Sequence, residues 1–170
     1  MQIRFKLDLK DIVEYTKYHN DNSPTIIKII KKFIISFSLL SILFFFTLGY
    51  AFHPFYYLLC ILFPIFIFIW SPGAYRRILE KNTRKMYSEG QNKVSVGEIE
   101  LAIEDEGIKV KYEHGESKVM WTGIEKIVSI ENYSFIYLNS VDAFIIPEKS
   151  IIDGDYNFFI QELTQKYNNK

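Results

Sequence analysis

Cysteine is almost absent from this chain. Of 170 residues only Cys60 carries a thiol, so no intramolecular disulfide can form and nothing asks for an oxidising compartment. Set in an apolar run, Cys60 reads as a small apolar filler. Histidine is scarce too. His19, His53 and His114 fall at an expected helix end, an outer loop and a hairpin turn, whereas a zinc site needs three or four converging ligands. Neither a Gly-x-Ser-x-Gly elbow nor a glycine-rich phosphate loop is present. The residues therefore offer no catalytic, cofactor-binding or metal-ligating set, and the chain is expected not to be an enzyme.

The longest absence is of charge. No Asp, Glu, Lys or Arg occurs between Lys32 and Arg76. His53-Pro54 divides this run into two arms. The first, 33–52, has 20 residues, which at about 1.5 Å per helical residue matches the roughly 30 Å hydrocarbon core of a bilayer. The second, 55–71, has 17 and sits at the short end of the spanning range. Pro64 should bend it, as prolines commonly do in membrane helices. Neither arm carries a charged residue of the kind that lines ion pathways, so a channel or transporter is disfavoured. The expectation is a two-helix transmembrane hairpin over 23–74 that acts as an anchor.

Charge of both signs lies outside that run, unevenly. Residues 1–85 hold 12 Lys/Arg against 5 Asp/Glu, and residues 86–170 hold 8 against 15. Lys28, Lys31 and Lys32 precede the first arm; Arg76, Arg77, Lys81, Arg84 and Lys85 follow the second; the connecting loop has neither Lys nor Arg. By the positive-inside rule both termini are expected in the cytoplasm, in a multi-pass protein of the plasma membrane. These eight cations are the candidate membrane-surface residues, with the bilayer as partner. A cleaved signal peptide is not expected, because the apolar run starts late and is too long. The acidic second half disfavours nucleic acid, whose phosphates need a basic face.

Periodicity places the rest. Ile3, Phe5 and Leu7 alternate with Arg4, Lys6 and Asp8 as a half-buried strand. A helix over 9–19 then puts Leu9, Ile12, Val13 and Thr16 on one face and Lys10, Asp11, Glu14 and Lys17 on the other. This 1–22 piece cannot bury itself and is expected to pack on the C-terminal domain. Ser23-Pro24 opens the helix that enters the membrane. Ser71-Pro72-Gly73 is expected to end the second arm, and a separate basic helix over 75–87 to lie in a juxtamembrane linker, 75–92.

From Lys93 the period becomes two. Ile99, Leu101 and Ile103, then Ile108, Val110 and Tyr112, alternate with charged residues across the turn Asp105-Glu106-Gly107. Further strands are expected over 116–121, 124–130, 135–138 and 143–146. Glu104-Asp105-Glu106 reads as solvated turn charge. Trp121, before a Thr-Gly turn, is a candidate interaction aromatic set against a core or rim role. Ile152, Tyr156, Phe159, Leu163 and Tyr167 form the stripe of a closing helix that Asp153 or Asp155 can cap. The class is α+β. Residues 93–170 are expected to form a small antiparallel barrel or sandwich of pleckstrin-homology-like (PH-like) type, closed by a C-terminal helix, with 3–7 as a seventh strand.

Three stretches carry a resemblance: Trp121-Thr122-Gly123-Ile124-Glu125-Lys126-Ile127, Tyr133-Ser134-Phe135-Ile136-Tyr137 and Ala143-Phe144-Ile145-Ile146-Pro147. With them the chain resembles, over nearly its whole length, the YcxB-like family of small bacterial membrane proteins. The resemblance implies a PH-like C-terminal domain and imports no activity or catalytic residue.

Two function classes remain open. One is a non-enzymatic, membrane-anchored regulatory or interaction module that meets a protein partner at the inner membrane face. The other is a small membrane protein giving immunity or resistance to an antibacterial peptide, with the hairpin as its active part.

Overall fold

The computed structural model describes residues 1–88, 96–113 and 115–169. The expected turn at His114 and the expected onset of strand periodicity at Lys93 lie outside them. In chain order the elements are β1 (Gln2–Leu7), α1 (Leu9–Asn22), α2 (Pro24–Ala51), α3 (Phe55–Ser88), β2 (Gly97–Ile103), β3 (Gly107–Tyr112), β4 (Gly115–Met120), β5 (Lys126–Ile130), β6 (Tyr133–Tyr137), β7 (Ala143–Pro147), β8 (Ile151–Asp153) and α4 (Tyr156–Asn168). They divide into two compact units, one of Met1–Tyr15 with Thr83–Lys170 and one of Thr16–Asn82. Among the described residues the fold is therefore α+β, with four helices, two of them strongly apolar, and antiparallel sheets.

The first unit holds both sheets. One has five strands in the order β4-β3-β2-β1-β8, so the first strand of the chain lies between strands made more than ninety residues later. Alternation explains its faces. Ile3, Phe5 and Leu7 of β1 and Ile99, Leu101 and Ile103 of β2 are all buried, and so are Ile108 and Val110 of β3. Register aligns these into rows: Ile3, Leu101, Val110 and Ser117 in one, Phe5, Ile99, Tyr112 and Gly115 in the next. The opposite face carries Arg4, Glu100, Lys111 and Glu116 in register, with charges of alternating sign. At Gly107 a Cβ would collide with the carbonyl of Val119, so only glycine permits β3 and β4 to approach there.

The second sheet has the order β5-β6-β7. Its central strand is buried on both faces: Phe135 and Ile136, neighbours pointing opposite ways, are each 0% exposed. On one face Phe135 meets the ring of Tyr15 edge-on at 5.3 Å. On the other, Ser134 hydrogen bonds the Tyr156 hydroxyl at 2.9 Å. Helix α4 buries Phe159 and Leu163 completely, and Asp155 caps it by accepting from the Phe158 N–H at 2.9 Å.

Four expectations are corrected here. The strands do not run as one meander around a barrel. They form two separate sheets, because a single 3-10 turn over Trp121–Gly123, not a hairpin turn, joins β4 to β5. Ile152 does not belong to the helical stripe: it lies in β8, which pairs with β1, and is exposed. Asp11 does not face away. It is buried, accepts from the Asp8 N–H at 2.8 Å and from the Tyr133 hydroxyl at 3.0 Å, and so closes the first turn of α1 while tying it to β6. Ser71-Pro72-Gly73 does not end the second arm either. Helix α3 continues through Pro64 and Pro72 to Ser88, so the basic residues from Arg76 onward extend the apolar helix itself.

The second unit contains the end of α1 with α2 and most of α3. Helices α2 and α3 are long and apolar enough to cross a bilayer. They run antiparallel: Phe46 meets Tyr57 and Phe45 meets Phe63 near the connecting turn. Tyr57 packs so closely on Gly49 that a Cβ there would lie 2.7 Å from its ring. At the far end Arg76 pairs with Asp21 at 3.0 Å and Lys17 with Glu80 at 3.7 Å. Hydroxyls along α2 are satisfied by the helix itself, Ser41 by the Ser38 carbonyl and Thr47 by the Phe44 carbonyl, each at 2.8 Å.

Candidate functional site

The feature of the first unit best suited to binding is a cleft of about 500 Å³, within the size range of ligand sites. Its floor is the inward face of the five-stranded sheet at Phe5, Ile99 and Tyr112; Ile12 and Tyr15 of α1 and Ala143 and Ile145 of β7 form the opposing wall. Tyr87, Gly115, Glu116 and Asp142 also border it, and the lining includes no Lys or Arg among the described residues. The cleft exists because cover runs out along a row of side chains. Phe5 and Ile99 are buried, Tyr112 is half-buried, and Gly115, in the same row on the edge strand, is exposed with nothing within 4 Å of the position a Cβ would take.

One wall of the cleft is pinned by hydrogen bonds. The β6–β7 turn is closed by Asn139, whose Oδ1 accepts from the N–H groups of Val141 and Asp142, both at 2.8 Å. The Tyr15 hydroxyl donates to the Val141 carbonyl at 2.6 Å and so fixes the turn to α1. Burial, with the nearby Tyr137 and Asp142, pushes the Tyr15 hydroxyl far above the usual tyrosine range. Burial and the Asp11 carboxylate push Tyr133 up to about 12. Both rings stay neutral donors at physiological pH and act as fixed struts, not as acids or bases.

The residues singled out in the sequence fall elsewhere. Lys28, Lys31 and Lys32 are exposed on α2, and Arg76, Arg77, Lys81, Arg84 and Lys85 are exposed on α3. Antiparallel packing in the second unit brings Lys28, Lys31 and Lys32 to the same end as Arg76, Arg77 and Lys81, away from the uncharged turn at His53. Trp121, weighed as an interaction aromatic against a core or rim role, is 8% exposed, and its indole N–H donates to the Asp105 carbonyl at 2.9 Å. Glu104, Asp105 and Glu106 are more than solvated turn charge. Lys118 bridges Glu104 and Glu106, each at 3.0 Å, and Lys166 of α4 reaches Asp105 at 3.0 Å. Lysine pairing holds the Asp105 carboxyl below its usual range and the Lys118 amine above its own. Among the described residues no group of three His, Cys, Asp or Glu converges on a metal position. Sequence reasoning missed the cleft, since its lining comes from seven elements and the β6–β7 turn, and no local pattern brings those residues together.

Comparison with known proteins decides one point. Residues 103–163 match the family of YcxB-like proteins. The YcxB-like stretch runs from the last residue of β2 to the buried Leu163 of α4 and contains all three motifs that carry the resemblance. It leaves out β1, helices α1 to α3 and nearly all of β2, so the match is narrower than the near-complete coverage expected. No curated protein and no solved structure matches the chain.

Proposed function

We propose that this protein is a non-enzymatic interaction module held at the inner face of the plasma membrane. Helices α2 and α3 form a transmembrane hairpin with both termini in the cytoplasm, and the two sheets with α4 form a PH-like sandwich that meets a protein partner. One observation carries the reading. The most apolar 18-residue window of α2 is 11% buried and that of α3 is 0% buried, so these helices are not the core of a soluble fold. Phe68, at 70% exposed, illustrates the surface they leave uncovered; a lipid phase accommodates it where water does not. The flanking cations and uncharged turn support the orientation.

A protein partner is favoured over a lipid headgroup by the charges on the outer sheet face. Lys109 is paired with Glu116 at 2.8 Å and Lys118 with two carboxylates, so two of the lysines on that face are already neutralised, which weakens its pull on anionic lipid. The test is to replace 24–71 by an unrelated two-helix anchor and compare the cross-linked neighbours of the protein in native membranes. Retention of the same neighbours supports the module. Their loss would make the hairpin the active part and overturn it.

A further inference from the structure

We propose that the cleft beside β4 takes an extended, basic peptide segment of the partner, which adds as a strand to the free edge of β4 and seats an apolar side chain against Tyr112. This rests on the reading of the protein as an interaction module and names the chemistry of its partner.

Three observations converge. First, β4 ends the five-stranded sheet and no described strand pairs with its outer side. An open edge offers a row of backbone donors and acceptors that an incoming strand can satisfy. Second, inward-facing positions, buried through β1, β2 and most of β3, are uncovered at β4, where Gly115 and Ser117 are exposed. A strand added beside β4 would continue the row Phe5, Ile99, Tyr112, Gly115. Its inward side chain passes over a glycine, where the space is open, and enters a cleft walled by aliphatic and tyrosine side chains. Third, on the outer face the added strand would continue the row Arg4, Glu100, Lys111, Glu116, whose signs alternate and end on a carboxylate, while the cleft itself has Asp142 and no cation among the described lining residues. In a strand whose apolar side chain enters the cleft the neighbouring residues face outward, so a basic one meets the Glu116 carboxylate, which stays 61% exposed although it holds Lys109. The lining disfavours acidic segments and anionic amphiphiles alike.

The probe is a fluorescent, alternating lysine–leucine peptide of about eight residues, the length of a typical edge strand. Anisotropy is read on the full chain in zwitterionic nanodiscs, with empty nanodiscs as blank. Alternating glutamate–leucine and lysine–serine peptides are the comparison arms. The expected result is saturable binding of the lysine–leucine peptide, with both others weaker by about tenfold or more. Gly115→Trp fills the mouth from a position where a Cβ meets nothing within 4 Å, so it should abolish binding without lowering the thermal unfolding temperature. Glu116→Gln should weaken only the lysine-bearing peptides, by about threefold. Equal binding of the glutamate–leucine peptide, or binding indifferent to Gly115→Trp, overturns the proposal. So does an isotherm that shifts with protein concentration, since a second copy would then be the occupant. A negative result with cross-linked neighbours that survive anchor replacement removes this cleft and leaves the anchored module standing.

Discussion

Phe5 and Phe68 are the same residue in opposite circumstances. Phe5, in the first unit, is 1% exposed; Phe68, in the second, is 70% exposed. The first unit alternates apolar and charged residues and turns Ile3, Phe5 and Leu7 of β1 and Ile99, Leu101 and Ile103 of β2 inward, where all six are buried. Between Lys32 and Arg76 the second has no alternation and no charge to turn outward, so its two apolar helices leave rings and aliphatic chains exposed. On the membrane-anchored function proposed above, the first unit meets water and the second meets lipid.

The sharpest way to break this contrast is to shorten both phenylalanines. Phe5→Ala should destabilise the first unit by about 3–5 kcal/mol, whereas Phe68→Ala should change it by less than about 0.5 kcal/mol. Urea-dependent proteolysis of the full chain in micelles reads both. Equal losses would mean that Phe68 is packed, contradicting the uncovered surface. Introducing charge is the next largest perturbation. Leu40→Arg, in the middle of α2, should oppose membrane integration by about 2.5–3.5 kcal/mol, visible as protein released by alkaline carbonate. Glu100→Arg on the outer sheet face should leave the membrane fraction unchanged.

A smaller effect separates the units by pH. The Tyr133 hydroxyl titrates at an ordinary 10.0 when unfolded and at about 12 when folded. Because folding favours the neutral phenol, its stabilising contribution is fully present below pH 10 and is lost as pH rises through 12. Tyr133→Phe should cost about 1 kcal/mol at neutral pH and flatten the decline of stability between those limits. An unchanged alkaline slope would show that the hydrogen bond to Asp11 does not govern it. The last test is a yes-or-no one on orientation. With Cys60→Ala as background, His53→Cys should react with an impermeant thiol reagent in intact cells and Asn168→Cys should not. The reverse pattern would invert the topology.

Much of this was legible in the chain, for identifiable reasons. Period-two alternation at Ile3, Phe5 and Leu7 and at Ile99, Leu101 and Ile103 marked β1 and β2, because one face of each is buried and the other charged. What alternation cannot mark is a strand as short as β8, whose three residues contain too few repeats to have a period. Asp11 read as a surface charge because its partner, Tyr133, is distant in sequence, and burial of a carboxylate shows only when that partner arrives. Pro72-Gly73 read as a stop because the rule for helix ends assumes water to take the freed backbone groups; an apolar helix without that alternative keeps its remaining hydrogen bonds. The cleft was invisible, since it is a row of side chains that lacks its last member.

The position of β1 also has a consequence for how the protein is made. Both strands that flank it are encoded downstream, β2 beginning at Gly97 and β8 ending at Asp153. At about 5–20 residues per second on the ribosome, β1 waits roughly 5–20 s for its first neighbour and longer for its second. Through that interval its apolar side chains and both of its edges are unpaired, while the two apolar helices emerge and must find their own environment. The nascent chain is therefore most vulnerable to misassociation before β2 is synthesised, and a factor that shields the first seven residues during translation would raise the yield of folded protein more than one acting on the finished chain.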